Sequence, residues 1–208
     1  MRQPAEIHDV YHHAASILND APFDRSSTPF QHEPVAACVR RPGLHLVISH
    51  EPQTGLLAQL ALRTAISDET ALVAIRSQGG SPVRALLGGA FDPSGAGTLL
   101  TEEAIWLRQS LECLQRGRLL VLDLQDQVEL LDCCRSLPEL RLLCLSPLEA
   151  RPVAEATELA RQLGLPVVAT LQIPSDSPLD CPGATQARTV IVVHSPRPDG
   201  TQYEVHVR

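Results

Sequence analysis

The sequence predicts a single α/β domain built on a mostly parallel sheet. Three observations lead there. Short aliphatic runs recur along the chain (44–49, 71–76, 118–124, 140–145 and 166–172), and segments of helical periodicity alternate with them. The later runs are apolar throughout instead of alternating with polar residues, as strands covered on both faces must be. A chain of 208 residues is long enough for one domain with a real core. Aromatic residues supply only 3% of it, so Leu, Val and Ala must do most of the packing.

Residues 5–19 place Ile7, Val10, Tyr11, Ala14, Ile17 and Leu18 at helical spacing, which predicts an amphipathic helix. A stretch rich in Pro, Ser, Asp and His follows over 21–34 and reads as a linker. We therefore divide the chain into an N-terminal helix and linker (1–27) and an α/β domain (28–208). In that domain a strand over 44–49 precedes a helix over 55–66 and a second strand over 71–76. Ser81-Pro82 is an N-cap with proline in the first turn and opens a short helix to residue 87. Beyond a glycine-rich loop, Thr101 caps a helix that carries Glu102 and Glu103 in its first turn and runs to about Arg116. A strand over 118–124, a helix over 128–136, a strand over 140–145, a helix over 153–163 closed by Gly164, and a strand over 166–172 complete the alternation. Two last strands, 189–194 and 203–207, are joined around Pro196, Pro198 and Gly200 as a hairpin, which predicts an antiparallel edge.

Composition removes several function classes. All 17 basic residues are arginine, so neither a Schiff-base lysine nor a phosphate-loop lysine is available. The net charge of −7 opposes a dominant electrostatic grip on nucleic acid. No apolar run approaches the roughly 20 residues of a membrane span, and the N-terminus has no apolar stretch behind its single charge, so we expect a cytoplasmic protein without a membrane partner. The six cysteines (Cys38, Cys113, Cys133, Cys134, Cys144, Cys181) form no C-x-x-C pair and read as reduced structural thiols.

Local wording adds to the order of elements. Gly43-Leu44-His45-Leu46-Val47-Ile48 precedes Pro52-Gln53-Thr54-Gly55-Leu56-Leu57; Thr98-Leu99-Leu100-Thr101-Glu102-Glu103 precedes a helix; and Leu159-Ala160-Arg161-Gln162-Leu163-Gly164-Leu165-Pro166-Val167-Val168-Ala169 is followed by Gln172. Together these resemble the C-terminal domain of the DnaB-type replicative helicases over roughly residues 28–208. The resemblance implies a RecA-like, three-layer fold of the P-loop NTPase type, with helices on both faces of the sheet. It places residues 52–57 where the family has its Pro-Ser-x-Gly-Lys-Thr phosphate loop and Gln172 where the family has a nucleotide-sensing glutamine. It makes the N-terminal helix similar to the helix that docks on the next subunit of a helicase ring.

The departures are consistent. A working phosphate loop needs the lysine to neutralise phosphate charge and the hydroxyl to hold Mg²⁺, and Leu56 and Leu57 supply neither. The family's catalytic glutamate falls near Gly79, and its metal-associated aspartate is matched by Ser146. The chain also ends at Arg208, before the point where the family has its Lys-x-Arg finger. The expectation is a degenerate loop at Pro52, Gln53, Thr54, Gly55, Leu56 and Leu57, no catalytic residue, no metal site, and no cofactor, although the family would imply ATP and Mg²⁺. Function would then lie in binding, through self-association, a helicase ring or DNA in replication or a mobile-element context. The alternative is a small-molecule-binding α/β enzyme whose site sits at the carboxyl ends of the strands.

Other constellations are weaker. His8 and His12 lie one helical turn apart, but two histidines alone are more often a polar stripe than a metal site. Asp123 and Asp126 lie just past a strand, where open α/β sheets bind ligands; Asp123 is a candidate ligand contact, although a loop or cap carboxylate is the commoner case. Arg40, Arg41, Arg116 and Arg118 are candidate phosphate contacts without the interleaved aromatics of a nucleic-acid surface.

Overall fold

The computed structural model describes residues 39–49, 60–61, 64–65, 72–76, 112–113, 116–122, 126–148, 152–173, 183–194 and 203–207. The N-terminal helix and linker, the helix over 81–87 and the glycine-rich loop lie outside the described residues.

Seven strands form one sheet: β1 (Gly43–Ser49), β2 (Leu72–Arg76), β3 (Leu119–Leu122), β4 (Leu140–Leu148), β5 (Pro166–Gln172), β6 (Thr189–Val193) and β7 (Tyr203–Val207). Their order across the sheet is β3-β2-β4-β5-β1-β6-β7. Every neighbouring pair is parallel except β6 with β7, which closes the sheet as the antiparallel edge expected from residues 189–207. Among the described residues two helices are complete, α1 (Gln127–Arg135) and α2 (Pro152–Leu163).

The strand order dictates the layers. From β1 the chain moves in one direction to β2 and β3, then reverses through β4 and β5 and passes β1 to reach β6. Parallel crossovers are right-handed, so a reversal of direction puts the two sets of connections on opposite faces. The α1 and α2 face holds one buried cluster: Leu44, Leu46 and Ile48 of β1 lie beside Val167, Ala169 and Leu171 of β5 in register, with Val190 and Val192 of β6 on the other side. The alternate residues, among them Val47, Val168, Ile191 and Cys144, are equally buried toward the opposite face. That face goes with the buried helical residues Leu60, Ala61, Ala65 and Cys113, which belong to the connections running the other way.

Each helix has local reasons to begin and end where it does. Asp126 caps α1, its Oδ1 accepting from the backbone N–H of Val128 at 2.8 Å and of Glu129 at 2.9 Å, so the carboxylate following β3 is a cap. Leu130 and Cys134, one turn apart, form its buried stripe. Proline at the first position starts α2, and Val153, Ala156, Leu159 and Ala160 line its buried face. Gly164 ends it at φ +65°, its N–H donating to the Ala160 carbonyl at 3.0 Å.

Strand β4 departs twice from the uniform run that its apolar sequence suggests. Leu72 of β2 pairs with Leu140 and Val73 with Leu142, which leaves Arg141 as the extra residue of a β-bulge. The bulge shifts the side-chain phase by one, so Leu140 joins Leu143 and Leu145 on the α1 and α2 face while Leu142 and Cys144 serve the other. At its far end β4 continues to Leu148 instead of stopping at Leu145, and its register with β5 shifts between those two residues. Pro147 falls inside the shift, where it has no N–H to give the ladder.

Between β5 and β6 the chain turns through Gly183 at φ +97° against α2. A Cβ there would overlap Val153 Cγ1 and stand 2.8 Å from Val153 Cβ. Gly183→Ala should therefore cost roughly 2–3 kcal/mol, from the positive φ and the clash together. Gly164→Ala, with open space around it, should cost only about 1–2 kcal/mol, and Asp126→Ala about 1 kcal/mol. Urea unfolding midpoints at neutral pH read all three, and the expected ranking has Gly183→Ala as the most destabilised.

Candidate functional site

The carboxyl ends of β5, β1 and β6 lie side by side. Ser49 closes β1 opposite Gln172 of β5 and Val193 of β6, and the Ile173 N–H donates to the Ser49 carbonyl at 3.0 Å. Here the chain leaves β1 toward one edge of the sheet and leaves β5 toward the other. Such a reversal opens a crevice outside the carboxyl ends of the strands, where open α/β sheets take their ligands. Gln172 is exposed at this crevice, and residues 52–57 follow β1 directly, three positions beyond Ser49. The loop residues Pro52, Gln53, Thr54, Gly55, Leu56 and Leu57 themselves, and Asp123, lie outside the described residues. Ser146 lies within β4, one strand beyond β5.

The four arginines singled out from sequence stand at the other end of the sheet. Arg40 and Arg41 are exposed in the turn that enters β1, while Arg116 and Arg118 flank the turn into β3. A seven-residue strand rises about 20 Å, so this end is separated from Gln172 by nearly the whole sheet. Arg118 has a bracing role: its Nη1 donates to the Ala65 carbonyl at 2.7 Å, and its own carbonyl accepts from Val73 N–H at 2.9 Å. Arg41 is held through its backbone, whose carbonyl accepts from His45 Nε2 at 2.7 Å.

His45 is fully buried on β1, and the contact with a carbonyl assigns its proton to Nε2. Nδ1 has no partner among the described residues. Burial holds the imidazole below its usual pKa, against the upward pull of the Arg41 carbonyl and with a further lowering from the Arg188 charge. It is a core group, not a candidate acid or base. The cysteines are equally quiet. Burial pushes the Cys134 thiol up to about 12, helped by Cys133 beside it, and raises Cys144 and Cys113 as well. Among the described residues no three His, Cys, Asp or Glu side chains are grouped to hold a metal ion, and no helix is long and apolar enough to cross a membrane.

No protein-family profile matches the chain, and no curated protein matches it. Among solved structures, the ATPase domain of a DnaB-like helicase aligns with 93% of this chain and 84% of its own, at a TM-score of 0.54 and 14% identity. The fold is RecA-like. In all, 248 chains of solved structures match, so the likeness names a widely used architecture and not an activity. Within this RecA-like frame β1, β5 and β6 supply the crevice.

Sequence reasoning missed a second meeting of polar groups, at the amino end, where Arg135, Arg141 and Gln162 come together with Arg40 around a cavity. The signal was Arg141, one charge inside the apolar run 140–145.

The state of His45 makes a prediction. Its folded pKa lies below the unfolded value, so the neutral ring contributes stability that is present above about pH 6.5 and is lost as the pH falls toward the folded pKa. Between pH 8 and pH 5.5 the urea midpoint of the native protein should drop further than that of His45→Gln, which keeps a donor for the Arg41 carbonyl and does not titrate. Equal drops would assign the acid sensitivity to other groups.

Proposed function

We propose that this RecA-like domain, akin to the motor domain of DnaB-type helicases, acts by binding and does not hydrolyse ATP. What carries the reading is the donor set that the sequence supplies after β1. A phosphate held after β1 needs a cation and Mg²⁺ needs a hydroxyl, yet the chain contains no lysine at all and offers Leu56 and Leu57 at those two positions. Activation of a water needs a carboxylate, and Gly79 and Ser146 occupy the positions that the resemblance assigns to acidic residues. These residues do not fit ATP and Mg²⁺ as a reacting pair. The four candidate phosphate contacts Arg40, Arg41, Arg116 and Arg118 cannot substitute, because they stand at the opposite end of the sheet.

A domain that keeps the architecture of a motor without its chemistry retains surfaces for association. In this reading its partners are a second copy, a helicase ring met through the N-terminal helix, or DNA, and the net charge of −7 ranks DNA last.

Calorimetry with ATP and a non-hydrolysable analogue, with and without Mg²⁺, run alongside a phosphate-release assay, decides the matter. The expected result is no Mg²⁺-dependent turnover in the native chain, and none in a Leu56→Lys, Leu57→Thr double variant, which should gain nucleotide affinity but still lacks a carboxylate to orient water. Turnover by the native chain that disappears in Gly55→Ala or Gln172→Ala would overturn the proposal.

A further inference from the structure

At the amino ends of β4 and β5, on the opposite side of the sheet from the crevice, α1 and α2 end beside a cavity of about 770 Å³. That volume is in the range of small-molecule sites, which run to roughly 1,000 Å³. Its lining is mixed: Leu137 and Leu163 stand at the ends of the two helices, and Arg40, Arg135 and Arg141, all three exposed, are among the residues around it. None of the sixteen lining residues is acidic, in a chain where acids outnumber bases by 24 to 17.

Three local features bring the arginines together. The bulge in β4 inserts Arg141 as an unpaired extra residue, and bulges commonly re-aim a side chain at a site. Arg135, in the last turn of α1, donates from Nη2 to Gln162 Oε1 at 3.2 Å across the gap between the helices. Gln162 is in turn held by Glu158, to which its Nε2 donates at 2.8 Å, and that carboxylate is already neutralised by a two-pronged contact from Arg161. Arg40 arrives from the turn before β1. Glu139, the acidic residue nearest in sequence, is exposed and does not line the cavity. Among the described residues no carboxylate pairs with Arg40, Arg135 or Arg141.

Exposed like charges repel only weakly through water, but an anion placed among three arginines can be met by planar, bidentate donors while its apolar body covers the leucines. We propose that this cavity binds a small organic anion, one that carries a phosphate or carboxylate group on an apolar body. The site is independent of the reading of the carboxyl-end crevice, from which the sheet separates it.

Calorimetric titration of the full chain with 1-naphthyl phosphate, 1-naphthoate, 1-naphthol and inorganic phosphate tests it. The expected result is saturable 1:1 binding of naphthyl phosphate or naphthoate with Kd below about 1 mM, each tighter than naphthol or phosphate alone, and the stronger of the two identifies the preferred anion. Arg135→Glu with Arg141→Glu should weaken that binding by about tenfold or more, whereas Arg116→Ala, in the exposed turn before β3 and outside the cavity lining, should leave it unchanged. Should the double variant lose its folded circular dichroism spectrum, Arg40→Glu, carried on a separate turn, takes its place with the same expected loss. Absence of saturable binding, or binding indifferent to the charge reversals, overturns the proposal.

Discussion

All seven residues of β1 pair with β5, and five of them also pair with β6, in parallel ladders that bury both faces of the strand. The remaining elements take their positions from this double pairing. With β1 in the interior, its odd and even side chains must both be covered, which requires a layer on each face and hence crossovers running in both directions. The low aromatic content makes the arrangement demanding, since aliphatic side chains of similar size must fill both layers in register. Leu46 against Ala169 and Val190, and Ile48 against Leu171 and Val192, show how this is done: side chains of different sizes meet across neighbouring strands.

That central pairing also gives the two ends of the sheet different chemistry. At the carboxyl ends the chain diverges from β1 and β5 in opposite directions, and the crevice between them is a consequence of topology whatever residues occupy it. Gln172 is exposed at this end. At the amino ends the strands are entered from helix ends and tight turns, and there Arg40, Arg135 and Arg141 come together. A protein whose basic residues are all arginine has replaced flexible point charges with planar, bidentate donors, which suit recognition of oxyanions better than proton transfer.

Much of the fold was legible because its strands are unambiguous. The runs 44–49, 166–172 and 203–207 match β1, β5 and β7 to within a residue, since turn residues such as Gly43, Gly164 and Pro166 punctuate them. The helix read from residue 128 begins at Gln127, and its cap is Asp126. Strand β4 was less legible. A run that is apolar but for Arg141 does not reveal a bulge, because the phase slip at that residue exchanges one buried face of the strand for another. The continuation of the strand through Pro147 was equally hidden, as proline in isolation argues for a strand's end.

By itself the sequence determined what chemistry is unavailable and which segments become strands, because the absence of lysine and the aliphatic periodicity are properties of the chain in any conformation. Only the tertiary structure decided which polar groups meet. Arg40, Arg135, Arg141 and Gln162 span more than 120 positions in the chain and come together because parallel pairing brings the amino ends of β1, β4 and β5 to one edge. Arg40, a candidate phosphate contact in the sequence, and Gln172, a candidate nucleotide sensor, are held at opposite ends of the sheet by the length of the strands between them.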